Sequence, residues 1–160
     1  MAVRRVTVCA LLLLALDARP AVAQPIGYVA GGLTTVSGFF GSLSGFNVAG
    51  GAEFLAAERV GAAAEFGYLG NASSILQVVS ANGIVHLWTK PGTDRYSLFA
   101  TSGYTRMSSG EGAFDAWNVG AGFDTWHGRK GLRFEFRDQI RPDRRGTVHY
   151  LSIRVGAVFR

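Results

Sequence analysis

The sequence predicts an all-β protein: one eight-stranded antiparallel up-and-down barrel over residues 24–160, preceded by an export signal. Three observations carry that reading. Apolar and polar residues alternate with period two along most of the chain, the spacing of strands whose two faces meet different surroundings. Turn-forming clusters cut the alternation into eight segments, an even number at similar spacing. No window has the i, i+3, i+4 apolar spacing of an amphipathic helix.

Residues 1–23 read as a secretory signal. Arg4 and Arg5 precede an apolar run from Val6 to Leu16, and Ala21-Val22-Ala23 forms a small-residue cleavage site before Gln24. Of the 160 residues, 137 remain after cleavage, enough for a single domain with its own interior. The signal takes Arg4, Arg5, Arg19 and Asp17 with it, lowering the formal charge from +5 to +3, too mild to argue for nucleic acid. Its apolar run is about half of a spanning helix and no later run is longer, so helical membrane spans are excluded. Cys9, the only cysteine, lies within the signal and ahead of the cleavage point. The exported chain therefore forms no disulfide, offers no thiolate to a metal or substrate, and lacks a lipoprotein cysteine.

The strands fall near 26–34, 45–56, 60–70, 75–88, 95–105, 115–125, 131–140 and 147–159. The first, with Gly27, Gly31 and Gly32, alternates weakly. In the second, Phe46, Val48, Ala52 and Phe54 face away from Asn47, Gly51 and Glu53. In the third, Ala62, Ala64, Phe66 and Tyr68 oppose Gly61, Ala63, Glu65 and Gly67. Asn82-Gly83 interrupts the fourth, and the fifth follows the turn Lys90-Pro91-Gly92-Thr93-Asp94. The sixth sets Trp117, Val119, Ala121 and Phe123 against Asn118, Gly120, Gly122 and Asp124. The seventh is the clearest: Leu132, Phe134 and Phe136 on one face, Arg133, Glu135 and Arg137 on the other. The eighth opposes Leu151, Ile153, Val155, Ala157 and Phe159 to Ser152, Arg154 and Gly156.

Alternation alone does not say which face is inside. The polar face decides it, being mostly Gly, Ala, Ser and Asn rather than the Lys, Glu and Thr of a water-washed wall. Only Lys90 and Lys130 are lysines, and 17% of residues are charged against about 25% in soluble domains. Small residues suit a narrow eight-stranded lumen, and large Phe, Leu, Ile and Trp suit lipid. Strands of this length also cross a bilayer when tilted. The fold class is thus a transmembrane β-barrel.

With signal, eight alternating strands and the closing stretch Arg154-Val155-Gly156-Ala157-Val158-Phe159-Arg160, the chain resembles the small outer-membrane β-barrels of Gram-negative bacteria, of the OmpA and OmpX kind. The resemblance covers residues 25–160 and is one of pattern, so no functional site is carried over. It implies the outer membrane as location, lipid and lipopolysaccharide as surroundings, and the barrel-assembly machinery as a partner in biogenesis. That machinery reads a glycine-and-aromatic terminal strand in the family; here Arg160 follows Phe159, a departure from the pattern.

On this register the lumen holds Glu53, Glu65, Asp124 and Glu135 together with Arg133, Arg137 and Arg154. Glu53 and Glu65 are expected nearly opposite each other across the second hairpin, with arginines of the seventh strand reaching them from the far wall. Three readings fit: a salt-bridged plug, a gated ion path, or a carboxylate dyad. His86, His127 and His149 fall on separate segments with no zinc or triad spacing, and His86, beside Trp88, reads as an interfacial residue. Gly120-Ala121-Gly122 lies mid-strand and is no phosphate loop. Asn71-Ala72-Ser73 matches a glycosylation acceptor by chance.

Tyr28, Tyr68, Trp88, Tyr96, Tyr104, Trp117, Trp126 and Tyr150 near strand ends are expected to form two interfacial girdles. With a periplasmic N-terminus, the outward loops are 35–44, 71–74, 106–114 and 141–146, and the periplasmic turns are 57–59, 89–94 and 126–130. Arg141, Arg144 and Arg145 either meet lipopolysaccharide phosphates or form a solvated basic loop. The expected function is a closed, monomeric, non-catalytic barrel with a structural or surface-interaction role and no cofactor. A soluble periplasmic or secreted barrel with an apolar ligand inside, a narrow gated pore, and a lipid-modifying enzyme are the other readings.

Overall fold

A computed structural model describes residues 25–38, 41–56, 59–71, 74–89, 95–144 and 146–160. The signal 1–23 with its cleavage site, most of the turn 57–59, the turn 90–94 and Arg145 lie outside the described residues. Eight strands follow in order: β1 (Ile26–Gly38), β2 (Gly41–Leu55), β3 (Val60–Gly70), β4 (Ile75–Thr89), β5 (Tyr96–Ser109), β6 (Gly112–His127), β7 (Lys130–Asp143) and β8 (Gly146–Phe159). Each pairs antiparallel with the next, and β1 pairs with β8, so the sheet closes and no strand edge is left open. Gly27 lies opposite Phe159, and both strands leave the barrel at this terminal end; the opposite end is called distal below.

β3 and β4 end distally where the sequence places them, at Gly70 and Ile75, but other strands run further toward the distal end. Thr35, Val36 and Ser37 pair with Ser44, Leu43 and Ser42, where a loop over 35–44 was expected. Arg106 and Met107 likewise pair with Asp115 and Phe114 inside the expected loop 106–114. Arg141 and Pro142 belong to β7, leaving Arg144 alone of the described basic-loop arginines outside a strand. Ser, Thr and Gly clusters read locally as turns, but a partner strand satisfies their backbone, and β-branched Thr suits the pleat. The hairpin glycines Gly41, Gly112, Gly128 and Gly146 have positive φ, which glycine adopts without a Cβ clash.

Asn82-Gly83 does not break β4, since both residues pair on either side, with Ala63 and Ala62 and with Gly103 and Ser102. The irregularity is a bulge four residues later. Leu87 is extra between His86 and Trp88, so Leu87 and Trp88 both point outward.

Odd–even alternation sorts the side chains between wall and lumen. The outer wall carries a continuous apolar belt that includes Leu33, Phe66, Val79, Trp117, Phe136 and Ile153, the last 66% exposed. Small residues are not confined to the lumen: Gly27, Gly31, Gly50 and Gly83 stand on the outward parity of their strands. The lumen in turn takes several large side chains. Ile26, Tyr28, Trp126 and Val158, joined by Leu55, fill its terminal end. Leu69, Val78, Met107, Ala116 and Tyr150 fill the distal end with Val36, Leu76, Phe114 and Val148. Of the expected aromatic girdles, Tyr28, Trp126 and Tyr150 therefore face inward, because their strand parity overrides their position near strand ends. Tyr68, Tyr104 and Trp117 remain outside toward the distal end, and Trp88 and Tyr96 toward the terminal end.

Candidate functional site: the charged lumen

Between the two apolar layers the lumen is ionic. Parity brings Glu53 of β2, Glu65 of β3, Asp124 of β6, Arg133, Glu135 and Arg137 of β7 and Arg154 of β8 inside, each at most 4% exposed. They form two clusters. In the one nearer the terminal end, Arg133 grips Asp124 with a two-pronged pair, Nε to Oδ1 and Nη2 to Oδ2, both 2.8 Å. Its Nη1 meets Glu53 Oε1 at 2.5 Å. Its guanidinium also lies 4.5 Å from the Tyr28 ring centroid and 4.4 Å from that of Phe99. A planar cation with five donors suits this setting, since a lysine would match neither the fork nor the two rings.

The second cluster sits one layer further in. Arg154 donates from Nη1 and Nη2 to the two oxygens of Glu65, both at 2.9 Å, and from Nη2 to Glu135 at 2.6 Å. Arg137 donates to Glu65 Oε1 at 2.9 Å and to Glu135 Oε1 at 2.7 Å. The Tyr28 hydroxyl donates to Glu65 Oε2 at 2.9 Å. One carboxylate thus receives four donors from β1, β7 and β8, spanning the barrel from β3.

Glu53 and Glu65 do not face each other. Glu53 pairs with Ala63 and Glu65 with Gly51, a two-residue offset that puts them in different clusters. Repulsion between like charges across the hairpin is relieved by this offset, each acid meeting its own arginine.

Two glycines make room for the rings beside Arg133. A Cβ on Gly51 would lie 2.6 Å from the Tyr28 ring, and one on Gly122 would lie 2.6 Å from Phe99. Small residues at these points let aromatic and guanidinium planes stack across a lumen that is otherwise too narrow.

The histidines sit differently from the sequence expectation. His86 is buried inside the lumen, not at an interface; its Nδ1 is 2.6 Å from Ser97 Oγ, and its Nε2 lies 3.5 Å from Glu53. His149 stands half-exposed on the outer wall with its Nδ1 2.7 Å from Asp138. Local spacing hides both pairs because the partners come from neighbouring or opposite strands. His127, at the end of β6, is exposed.

Above the ionic clusters lies a neutral polar layer. Thr34 and Ser152 share a hydrogen bond at 2.7 Å, Asn47 donates to Thr34 at 2.8 Å, and Asn118 donates to Asn82 and Thr105 at 2.7 and 2.8 Å. Nearer the distal mouth, Arg141 lies 4.0 Å over the Phe114 ring, which stacks on Tyr150. Arg144 remains exposed beside Asp143. No group of three His, Cys, Asp or Glu suited to a metal ion occurs among the described residues.

The sequence matches no protein-family model and no curated protein. Solved structures match it in fold. The crystal structure of Neisserial surface protein A aligns with a TM-score of 0.67 at 13% identity, over 86% of this chain and 97% of that one. The N-terminal β-barrel domain of Pseudomonas aeruginosa OprF aligns with a TM-score of 0.60 at 15% identity, over 86% and 98%. The chain has the fold of the eight-stranded outer-membrane β-barrels. A de novo designed transmembrane β-barrel aligns as well, with a TM-score of 0.60 at 14% identity over 88% and 96%. A designed relative in this fold makes the likeness one of architecture, and no activity comes with it.

Beside the ion pairs, Ser97 and Phe99 are lumen residues that the sequence did not single out, and Tyr28, expected in a girdle, joins them inside. Their signal was parity: each falls on the inward register of its strand, two positions from a buried neighbour.

Proposed function

We propose that the protein is an outer-membrane β-barrel with a closed lumen and a structural or surface-interaction role, without catalysis. The observation that carries this is the filling of the lumen: ion pairs and a polar layer in the middle, apolar side chains at both ends. An ion crossing the barrel would have to shed its water twice, at each apolar layer, and break buried pairs between them. The apolar outer belt, with aromatic residues toward each end, supports residence in a bilayer, and the likeness to outer-membrane barrels supports the outer membrane of a Gram-negative cell. A soluble barrel with an apolar ligand would need the opposite arrangement, a polar wall around an apolar cavity.

In planar bilayers the folded barrel is expected to give no steady single-channel current. A clear conductance abolished by Arg133→Ala or Glu65→Ala would replace the closed barrel with the gated pore. Fractionation sets the membrane part at risk separately: protein recovered soluble without detergent, with no gel shift on boiling, overturns it. Lipid and lipopolysaccharide are the proposed surroundings, the barrel-assembly machinery the partner during insertion, and the monomer the working state. Arg141, Arg144 and Arg145 are the proposed contacts to lipopolysaccharide phosphates, with Arg141 reaching the mouth from a strand rather than a loop.

A further inference from the structure

Where the second ion cluster meets the neutral polar layer, a gap of about 10 Å³ remains, lined among others by Asn47, Glu65, Arg137, Gln139, Ser152 and Arg154. Three of these residues bring an unpartnered polar atom: Asn47 Oδ1, Gln139 Oε1 and Arg154 Nε have no hydrogen-bond partner among the described residues. All three residues are more than nine-tenths buried. The neighbouring atoms of the same side chains are already engaged. The Asn47 amide nitrogen donates to Thr34, which leaves Oδ1 as its free atom. The terminal nitrogens of Arg154 hold Glu65 and Glu135, which leaves the Nε–H.

We propose that this gap is a binding site for a single water molecule, which accepts from Arg154 Nε–H and donates to Asn47 Oδ1 and Gln139 Oε1. The set of partners selects for water over other occupants. A cation would meet the guanidinium groups of Arg154 and Arg137, and an anion would meet two carbonyl oxygens and Glu65. What is required is a neutral molecule that accepts one hydrogen bond and donates two. The size agrees, since a water needs about 10–15 Å³ of such space and two to four polar partners. An unmade bond at a buried charged donor costs more than a neutral one, so Arg154 gives the site its strongest demand. The water joins the ionic cluster to the polar layer above it.

The test is a water-selective cross-relaxation spectrum of the full-length protein folded in detergent micelles, read at the Arg154 Nε–H. A cross-peak to a long-lived water is expected, with loss of most of its intensity in Gln139→Met, which keeps the side-chain length and removes the acceptor. A folded wild type without the cross-peak overturns the proposal, as does a cross-peak unchanged in Gln139→Met. If that variant does not fold, a high-resolution crystal structure of the wild type decides. Density within hydrogen-bond distance of all three atoms supports the site, and direct side-chain contact across the gap overturns it.

Discussion

Arg133→Ala is the most informative single perturbation of the lumen. Arg133 is 2% exposed and is the cation shared by Asp124 and Glu53, both fully buried. Truncation removes three charge-assisted contacts and leaves two carboxylates with only His86 near Glu53. Breaking a buried ion pair by deleting one partner costs about 3–5 kcal/mol. The lost stacking on Tyr28 and Phe99 adds about 1 kcal/mol or more. The expected loss is therefore at least about 4 kcal/mol, a large part of the ~5–15 kcal/mol stability usual for a domain. Urea unfolding of the barrel in lipid vesicles, followed by the boiling-dependent gel shift, measures it. Glu111→Ala, on an exposed turn, is the control and should stay within about 0.5 kcal/mol. A second variant, Arg133→Met with Asp124→Asn and Glu53→Gln, removes charge on both sides and should recover most of the loss, because the penalty lies in the unpaired carboxylates. A loss under about 1 kcal/mol for Arg133→Ala, or no recovery in the neutral triple variant, would refute the reasoning.

Three further outcomes are expected. Ile153→Arg, on the outward face in the middle of β8, should cost about 2–4 kcal/mol in a bilayer, whereas a change within ~0.5 kcal/mol would mean a water-facing wall. Acyl-brominated lipids should quench single-tryptophan variants that keep Trp88 or Trp117, and spare the one that keeps Trp126, since only the last points into the lumen; equal quenching of all three would contradict the register. Gly122→Val crowds both the Phe134 carbonyl oxygen and the Phe99 ring, and overpacking should cost at least about 1–3 kcal/mol in the same unfolding assay, with Gly83→Val, open on the outer wall, as the tolerated comparison.

The eight strands and the inward charges were legible because β7 spells its two faces without ambiguity. Leu132, Phe134 and Phe136 against Arg133, Glu135 and Arg137 fix the parity, and antiparallel pairing carries that parity to β6 and β8. Strand length was less legible. The distal ends of β1 and β2 are written largely in Ser, Thr and Gly, and β5 ends in Ser108-Ser109; only the partner strand turns Thr35-Val36-Ser37 from loop into ladder. Aromatic position misled in the same way: Tyr28, Trp126 and Tyr150 lie near strand ends, where girdle residues belong, but on the inward face. The pairings His86 with Glu53 and His149 with Asp138 carry no sequence signal, because strand order and stagger, rather than spacing along the chain, bring the residues together.

The same parity suggests why the interior is charged at all. A narrow lumen filled with leucine would close as well, and buried ion pairs add little net stability over well-packed apolar residues. They do exact a heavy penalty for error. A slip of β7 by one residue would turn Arg133, Glu135 and Arg137 to lipid and Leu132, Phe134 and Phe136 into the lumen. Each arginine at bilayer depth costs about 2–4 kcal/mol, so the two together disfavour the slipped pairing by about 4–8 kcal/mol before the carboxylate is counted. An apolar lumen opposite apolar lipid offers no such discrimination. The neutral triple variant at Arg133 separates the two contributions: it should keep most of the equilibrium stability while the cluster of Glu65, Glu135, Arg137 and Arg154 is left to hold the register, so slower folding with increased misfolded species, at near-native final stability, is its expected signature.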